Sequence, residues 1–165
     1  MSRFVILSLV GTLAVVGSAV AASADNDRNF VAPLKAREEV QTPAVESNAA
    51  GLARFQLNDD GDELSFKLIV ANIDNVLFSH IHCGPDGVNG PIIAFLYDGP
   101  TVTANGVLAQ GVLTGGDVVS RPDSAACPGG VSSFEDLLEK VANGGAYVNV
   151  HTQVYPMGEI RGQIR

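Results

Sequence analysis

The chain has 165 residues, a length that fits one domain. Its 18 acidic and 10 basic side chains give a formal net charge of −8, and an acidic protein is a poor partner for nucleic acid or for an anionic membrane surface. We therefore exclude these two function classes and expect the partner to be a protein or another cell-surface component.

Residues 1–24 have the pattern of a secretory signal peptide. Arg3 supplies the positive start, an almost unbroken apolar run follows, and Ala-x-Ala cleavage patterns end at Ala21 and at Ala24. The apolar run is short for a membrane span, which needs about 20 residues, and no cluster of basic residues follows it. We expect cleavage at one of these two alanines, no membrane span afterwards, and a secreted, periplasmic or extracellular domain over residues 25–165.

Strand patterns dominate the rest of the chain. Apolar and polar residues alternate over short runs, and Gly, Pro or Asp punctuates the gaps between them, as in the turn at 59–62. The predicted strands are 30–34, 53–57, 64–70, 76–82, 92–97, 106–113, 146–152 and 159–164. Many short strands with turns between them indicate a β-sandwich or a β-barrel.

One segment, 133–141, has apolar residues at helical spacing. Ser133 is a suitable N-cap, Asp136 lies where the acid of a capping box belongs, and Gly144 follows the end of the pattern. We predict one short helix that packs against the β domain and has no chemical role.

The two cysteines, Cys83 and Cys127, lie in loop-like sequence rich in Gly and Pro. An even number of cysteines in an exported protein favours a disulfide, which here closes a loop of about 45 residues. The alternatives are two free thiols or two additional metal ligands.

All three histidines of the chain lie in two predicted strands. His80 and His82 are two residues apart, so both rings lie on one face of their strand, and His151 completes the set if its strand is a neighbour. Neutral imidazoles bind Cu, Zn, Fe or Ni, and three histidines with water are a known zinc pattern. The alternative is that the rings form only structural hydrogen bonds. Asp86, in the loop that follows, is a candidate to orient one ring.

The sequence contains no G-x-S-x-G motif, no phosphate-binding loop and no dinucleotide fingerprint. Neither cysteine has the setting of a catalytic nucleophile. We therefore predict no catalytic residues. These patterns do not decide whether the protein is an enzyme, but they favour a non-enzymatic protein. Near the C terminus, Glu159 and Arg161 share a strand face, and we interpret them as solvated structural charges.

Several ordered motifs resemble those of the CHRD domain, a module named after chordin. They span about residues 29–165. The motifs are 30–34 with 39–43, the S-H-I-H of 79–82 with the glycines of the following loop, 147–152, and 158–164. The resemblance implies an antiparallel, Greek-key-like β-sandwich with one short helix, and it implies no established reaction.

The H-x-H strand, the Gly-rich loop and the late cysteine are also distantly similar to copper-zinc superoxide dismutases. The chain has too few histidines for the dinuclear site of that enzyme, so we expect a single-metal site at most. Our first hypothesis is an exported, non-enzymatic CHRD-domain binding module that coordinates one Cu or Zn ion through His80, His82 and His151. The second is a purely structural or protein-interaction domain without metal, and the third is a mononuclear metalloenzyme.

Overall fold

The computed structural model describes residues 28–165, so the predicted signal peptide of 1–24 lies outside the described residues. This part of the chain forms seven strands and one α-helix. The strands are β1 (Asn29–Lys35), β2 (Ala50–Leu57), β3 (Leu64–Cys83), β4 (Ile92–Tyr97), β5 (Val102–Leu113), β6 (Ala146–Thr152) and β7 (Ile160–Gln163), the helix is α1 (Phe134–Ala142), and 3-10 turns cover Ala36–Glu38 and Gly115–Asp117. The prediction of an all-β domain with one short helix is confirmed.

The largest difference from the predicted strands concerns β3. The predicted strands 64–70 and 76–82 are one continuous strand of 20 residues. Asn72 and Asn75, which lie between them, have positive φ angles of 54° and 51°. Asn adopts this left-handed conformation more readily than most residues. The pairing of β3 with β5 shifts register on both sides of Ile73, and β-bulges of this kind bend a strand without ending it.

The strands form one antiparallel, closed, barrel-like sheet. Its order is β2-β1-β7-β6-β3-β4, and β2 also pairs with β3, which closes a ring of five strands. The first half of β3 lies between β2 and β5, and its second half lies between β6 and β4. The Greek-key sandwich and the likeness to superoxide dismutases are not confirmed and stay predictions.

The alternation of side chains along β3 and β6 separates the core from the outer face of the sheet. Ile81 on β3 pairs with Val148 on β6, and both are fully buried in the apolar core. Because successive side chains of a strand point to opposite faces, His80 and its partner Asn149 lie on the outer face. The histidines therefore lie outside the barrel core.

Two segments outside the strands cover this part of the outer face. Asn89, in the loop after β3, donates a side-chain hydrogen bond of 2.6 Å to the carbonyl oxygen of Val40. Gln41 donates one of 2.7 Å to the carbonyl oxygen of Gly158. The polar side chains beneath these segments are consequently buried.

Helix α1 has the predicted capping box. The Asp136 N–H donates to the Ser133 hydroxyl, the Asp136 carboxylate accepts from the Ser133 N–H, and Leu137 and Val141 are buried. Between residues 28 and 165, no helix has both the length and the hydrophobicity needed to cross a membrane.

Cys83 and Cys127 form a disulfide, with their Cα atoms 5.3 Å apart. The bond joins the end of β3 to the segment that precedes α1, and both cysteines are fully buried. The described residues contain no free cysteine.

Candidate metal centre

The three predicted histidines lie together on the outer face of two neighbouring strands. The pairing of β3 with β6 sets His80 opposite Asn149 and Phe78 opposite His151. One ring nitrogen from each histidine lies within 4.8 Å of the corresponding atoms of the other two. A late strand thus lies beside an early one, as the three-histidine hypothesis requires.

Two backbone carbonyls fix the orientation of two of the rings. Nδ1 of His82 lies 2.8 Å from the carbonyl oxygen of Gly90, and Nδ1 of His151 lies 3.0 Å from that of Pro156. A carbonyl oxygen only accepts hydrogen bonds, so each Nδ1 carries the hydrogen and each Nε2 keeps a free lone pair. His82 Nε2 is buried and has no hydrogen-bond partner among residues 28–165.

The third ring and an amide complete the group of polar atoms. Nδ1 of His80 lies 3.2 Å from Nε2 of His151, and the same Nε2 lies 3.0 Å from Oδ1 of Asn149. Asn149 was not among the predicted site residues. Its position two residues before His151 puts it on the same strand face, and this alternation is the signal that points to it.

Burial keeps the imidazoles neutral. Burial, followed by the neighbouring His151 and His82, lowers the pKa of His80 to about 3. Burial lowers the pKa of His82 to about 4, although the hydrogen bond to the Gly90 carbonyl acts in the opposite direction. Burial also lowers the pKa of His151. The neutral imidazole is the form that binds a metal ion.

Aromatic rings pack against His80 and His82. The Tyr147 ring stacks on His82 with centroids 4.8 Å apart, and the Phe95 ring meets His80 edge-on at 4.8 Å. Phe78 stacks on His80 at 6.0 Å, and both phenylalanines are exposed. These rings fix the imidazole planes and leave an apolar surface beside His80.

Arg161, on β7, contacts both the Tyr147 ring and the loop after β3. Its guanidinium lies 3.4 Å from the centroid of the Tyr147 ring and donates hydrogen bonds of 2.9 Å to Asn89 Oδ1 and to the Val88 carbonyl. The Tyr147 hydroxyl accepts a hydrogen bond of 3.1 Å from the Gly90 N–H, so the same loop contacts Tyr147, His82 and Arg161.

The interpretation of Glu159 and Arg161 as solvated charges is wrong. The two residues are only 7 % and 2 % exposed, because the loop after β3 and the segment before β2 cover the outer face there. The Glu159 carboxylate accepts hydrogen bonds of 2.6 Å from Ser47 and 2.7 Å from Thr152.

The predicted role of Asp86 is also wrong. Its carboxylate forms a surface ion pair of 3.0 Å with Arg165, and backbone carbonyls orient His82 and His151 instead. The loop needs glycine at position 90, because a Cβ there would overlap the carbonyl oxygen of Cys83. Cys83, at the end of β3, is therefore in direct contact with Gly90, whose carbonyl oxygen orients His82.

Comparison with known proteins now assigns the chain to a family. A family model described as the CHRD domain matches residues 30–164. This chain belongs to the CHRD domain family. The resemblance predicted from the motifs is confirmed, and the CHRD match contains all three histidines, Asn149 and both cysteines. A search of curated proteins and a search of solved structures each return no match for this CHRD domain.

Proposed function

We propose that this CHRD domain is a non-enzymatic binding module that holds one Cu or Zn ion through His80, His82 and His151. The observation that carries the proposal is the convergence of three imidazole nitrogens within 4.8 Å of one another. Cu and Zn are the metals proposed because neutral imidazole suits both.

The hydrogen bonds of the site support a metal ion over a purely structural role. Metal-bound histidines usually donate their second ring N–H to a carbonyl or a carboxylate, as His82 and His151 do here. The buried, unpartnered His82 Nε2 is costly without a ligand, because an unsatisfied buried polar group costs about 1–3 kcal/mol. A metal ion accepts this lone pair.

The proposal includes export. We propose that the chain is secreted, periplasmic or extracellular and that its mature form begins after Ala21 or Ala24. A CHRD domain and a buried disulfide are compatible with an extracellular protein. The intact mass of the protein recovered from outside the cytoplasm tests this part, and the mass of the full 165-residue chain would contradict it.

Calorimetric titration of the purified mature protein with Zn(II) and with Cu(II) tests the metal site. We expect one ion per chain, an affinity loss of at least about 100-fold in His82→Ala, and wild-type affinity in Gln110→Ala, an exposed residue of β5. Zn(II) at about 1,000 times its Kd should add about 4 kcal/mol to the free energy of unfolding, and a chelator should remove this gain. If the protein binds neither metal, or if His82→Ala binds as tightly as wild type, the proposed site is wrong. The histidines then have only a structural, hydrogen-bonding role.

A further inference from the structure

The polar cluster formed by His80, His82, His151 and Asn149 on β3 and β6 contains more hydrogen-bond acceptors than hydrogens. A neutral imidazole has one N–H group. His82 and His151 each use theirs on a backbone carbonyl, outside the cluster. Of the three rings, only His80 can therefore supply a hydrogen, and the atom within hydrogen-bond distance of its Nδ1 is His151 Nε2, at 3.2 Å. Asn149 Oδ1 and His82 Nε2 then remain as additional acceptors.

In the orientation that places Oδ1 toward His151, Asn149 is unfavourable without a positive charge between its oxygen and the ring. The residue is 3 % exposed, and its Oδ1 lies 3.0 Å from His151 Nε2. Two acceptors at this separation repel each other when neither carries a hydrogen. The hydrogen bond from His151 Nδ1 to Pro156 places the hydrogen of this ring on the far side.

Two separations around His151 Nε2 are close to those of atoms that share one metal ion. In a tetrahedral shell with Zn–N distances of about 2.0–2.1 Å, neighbouring ligand atoms lie about 3.3 Å apart. The separations of 3.2 Å from His80 Nδ1 to His151 Nε2, and of 3.0 Å from that atom to Asn149 Oδ1, are close to this value.

We propose that Asn149 Oδ1 is the fourth metal donor, so that the site has three imidazole nitrogens and one amide oxygen. This inference rests on the proposed function. A site whose four positions are all filled by the protein is closed, which is typical of structural zinc sites, whereas catalytic sites keep one position for water. The inferred donor set thus favours a module that holds its ion over a mononuclear metalloenzyme.

The competing arrangement has the Asn149 amide rotated by 180°, with its NH₂ group donating to His151 Nε2. Amide oxygen and nitrogen exchange places in that rotation, so hydrogen bonding and coordination decide between them. With the NH₂ group facing the histidines, Asn149 binds no metal, and a fourth position is filled by water. The two arrangements therefore differ in whether the bound ion carries a water molecule.

The experiment compares wild type, Asn149→Ala and Asn149→Asp by Zn(II) calorimetry and by electron-nuclear double resonance of the Cu(II)-loaded proteins in H₂O and D₂O. We expect at least a 10-fold loss of Zn(II) affinity in the Ala variant, and wild-type or tighter affinity in the Asp variant, which restores an oxygen donor. We expect no exchangeable equatorial water signal in the wild-type and Asp proteins, and one in the Ala protein.

Two results would overturn the inference while the proposed function stands. The first is that Asn149→Ala binds Zn(II) with an affinity within threefold of wild type. The second is that Cu(II) in the wild-type protein carries an equatorial water molecule. Failure of the wild-type protein to bind either metal would instead remove the three-histidine site, and the fourth donor with it. The Asp variant, which has nearly the shape of Asn, separates loss of a ligand from loss of folding.

Discussion

Among residues 28–165, Glu39 is the carboxylic acid whose pKa is raised by burial. Burial raises its pKa to about 7, although the Arg161 charge acts in the opposite direction. Its Oε1 is buried without a hydrogen-bond partner among residues 28–165, and the carboxyl group packs against the backbone of Gly158, where a Cβ would overlap it. Folding therefore favours the protonated, neutral form of Glu39.

The first prediction concerns Glu39→Gln, which replaces the acid by a neutral side chain of similar shape. The folded pKa of about 7 lies above the unfolded value of 4.5, so the stability gained from the neutral acid is complete below pH 4.5 and is lost as the pH rises through 7. We expect the free energy of unfolding of the variant, relative to wild type, to increase by about 2–3 kcal/mol between pH 4.5 and pH 8.

Urea denaturation of both proteins at pH 4.5, 6 and 8 measures this difference. The lowered pKa values of the three histidines act in the opposite sense, since they reduce stability as the pH falls below 6.5, and they affect both proteins equally. Glu63→Gln, an exposed acid, is the matched control. A constant difference across this pH range would contradict a buried acid at position 39.

At the scale of the element, β3 determines the architecture. It is the only strand of the described chain that pairs with four others, and its bend lets each half take a different pair of neighbours. Asn72 and Asn75 make this bend with positive φ angles. The second half of β3 carries His80 and His82 and ends at the disulfide. The bend therefore determines where these two histidines lie relative to the rest of the barrel.

The second prediction tests the bend. Asn75 is exposed and has a φ of 51°, a conformation that a β-branched side chain disfavours strongly. We expect Asn75→Val to lower the free energy of unfolding by about 1–2 kcal/mol, and Asn75→Gly to leave it within about 0.5 kcal/mol, because glycine adopts positive φ without a steric cost. Urea denaturation measures both changes. Equal stability of the two variants would show that the positive φ is not required.

At the scale of the whole molecule, contacts between distant segments close the structure. β1 and β2 come early in the chain and β6 and β7 come last, yet they form one ring with β3. The disulfide adds a covalent link between Cys83 and Cys127, which are 44 residues apart. This link stabilises the fold mainly by restricting the unfolded chain.

The third prediction removes that link in the double variant Cys83→Ala and Cys127→Ala. Loss of a closed loop of about 45 residues should lower the free energy of unfolding by about 4 kcal/mol in the chain-entropy model. Urea denaturation with and without a reducing agent measures the effect, and the reducing agent should act on wild type but not on the variant. A loss below about 1 kcal/mol in the variant would argue against the disulfide in the folded protein.

Local patterns in the sequence were enough to predict most of the secondary structure of this protein. Alternation of period two predicts the strands, helical spacing with Ser133 and Asp136 predicts α1, and the ordered motifs predict the CHRD family. The three histidines were also found this way, because the face of a strand on which a side chain lies depends on its position in the strand.

Which strands are neighbours became known only from the three-dimensional fold. Strand pairing depends on contacts between residues far apart in the chain, which no local pattern contains. In the folded protein, two predicted strands form the single strand β3, and the sheet closes. The fold also covers Arg161 with a loop and places Asn149 beside the histidines. The carbonyls of Gly90 and Pro156 took the role predicted for Asp86, because backbone groups orient a ring only where the fold brings them to it.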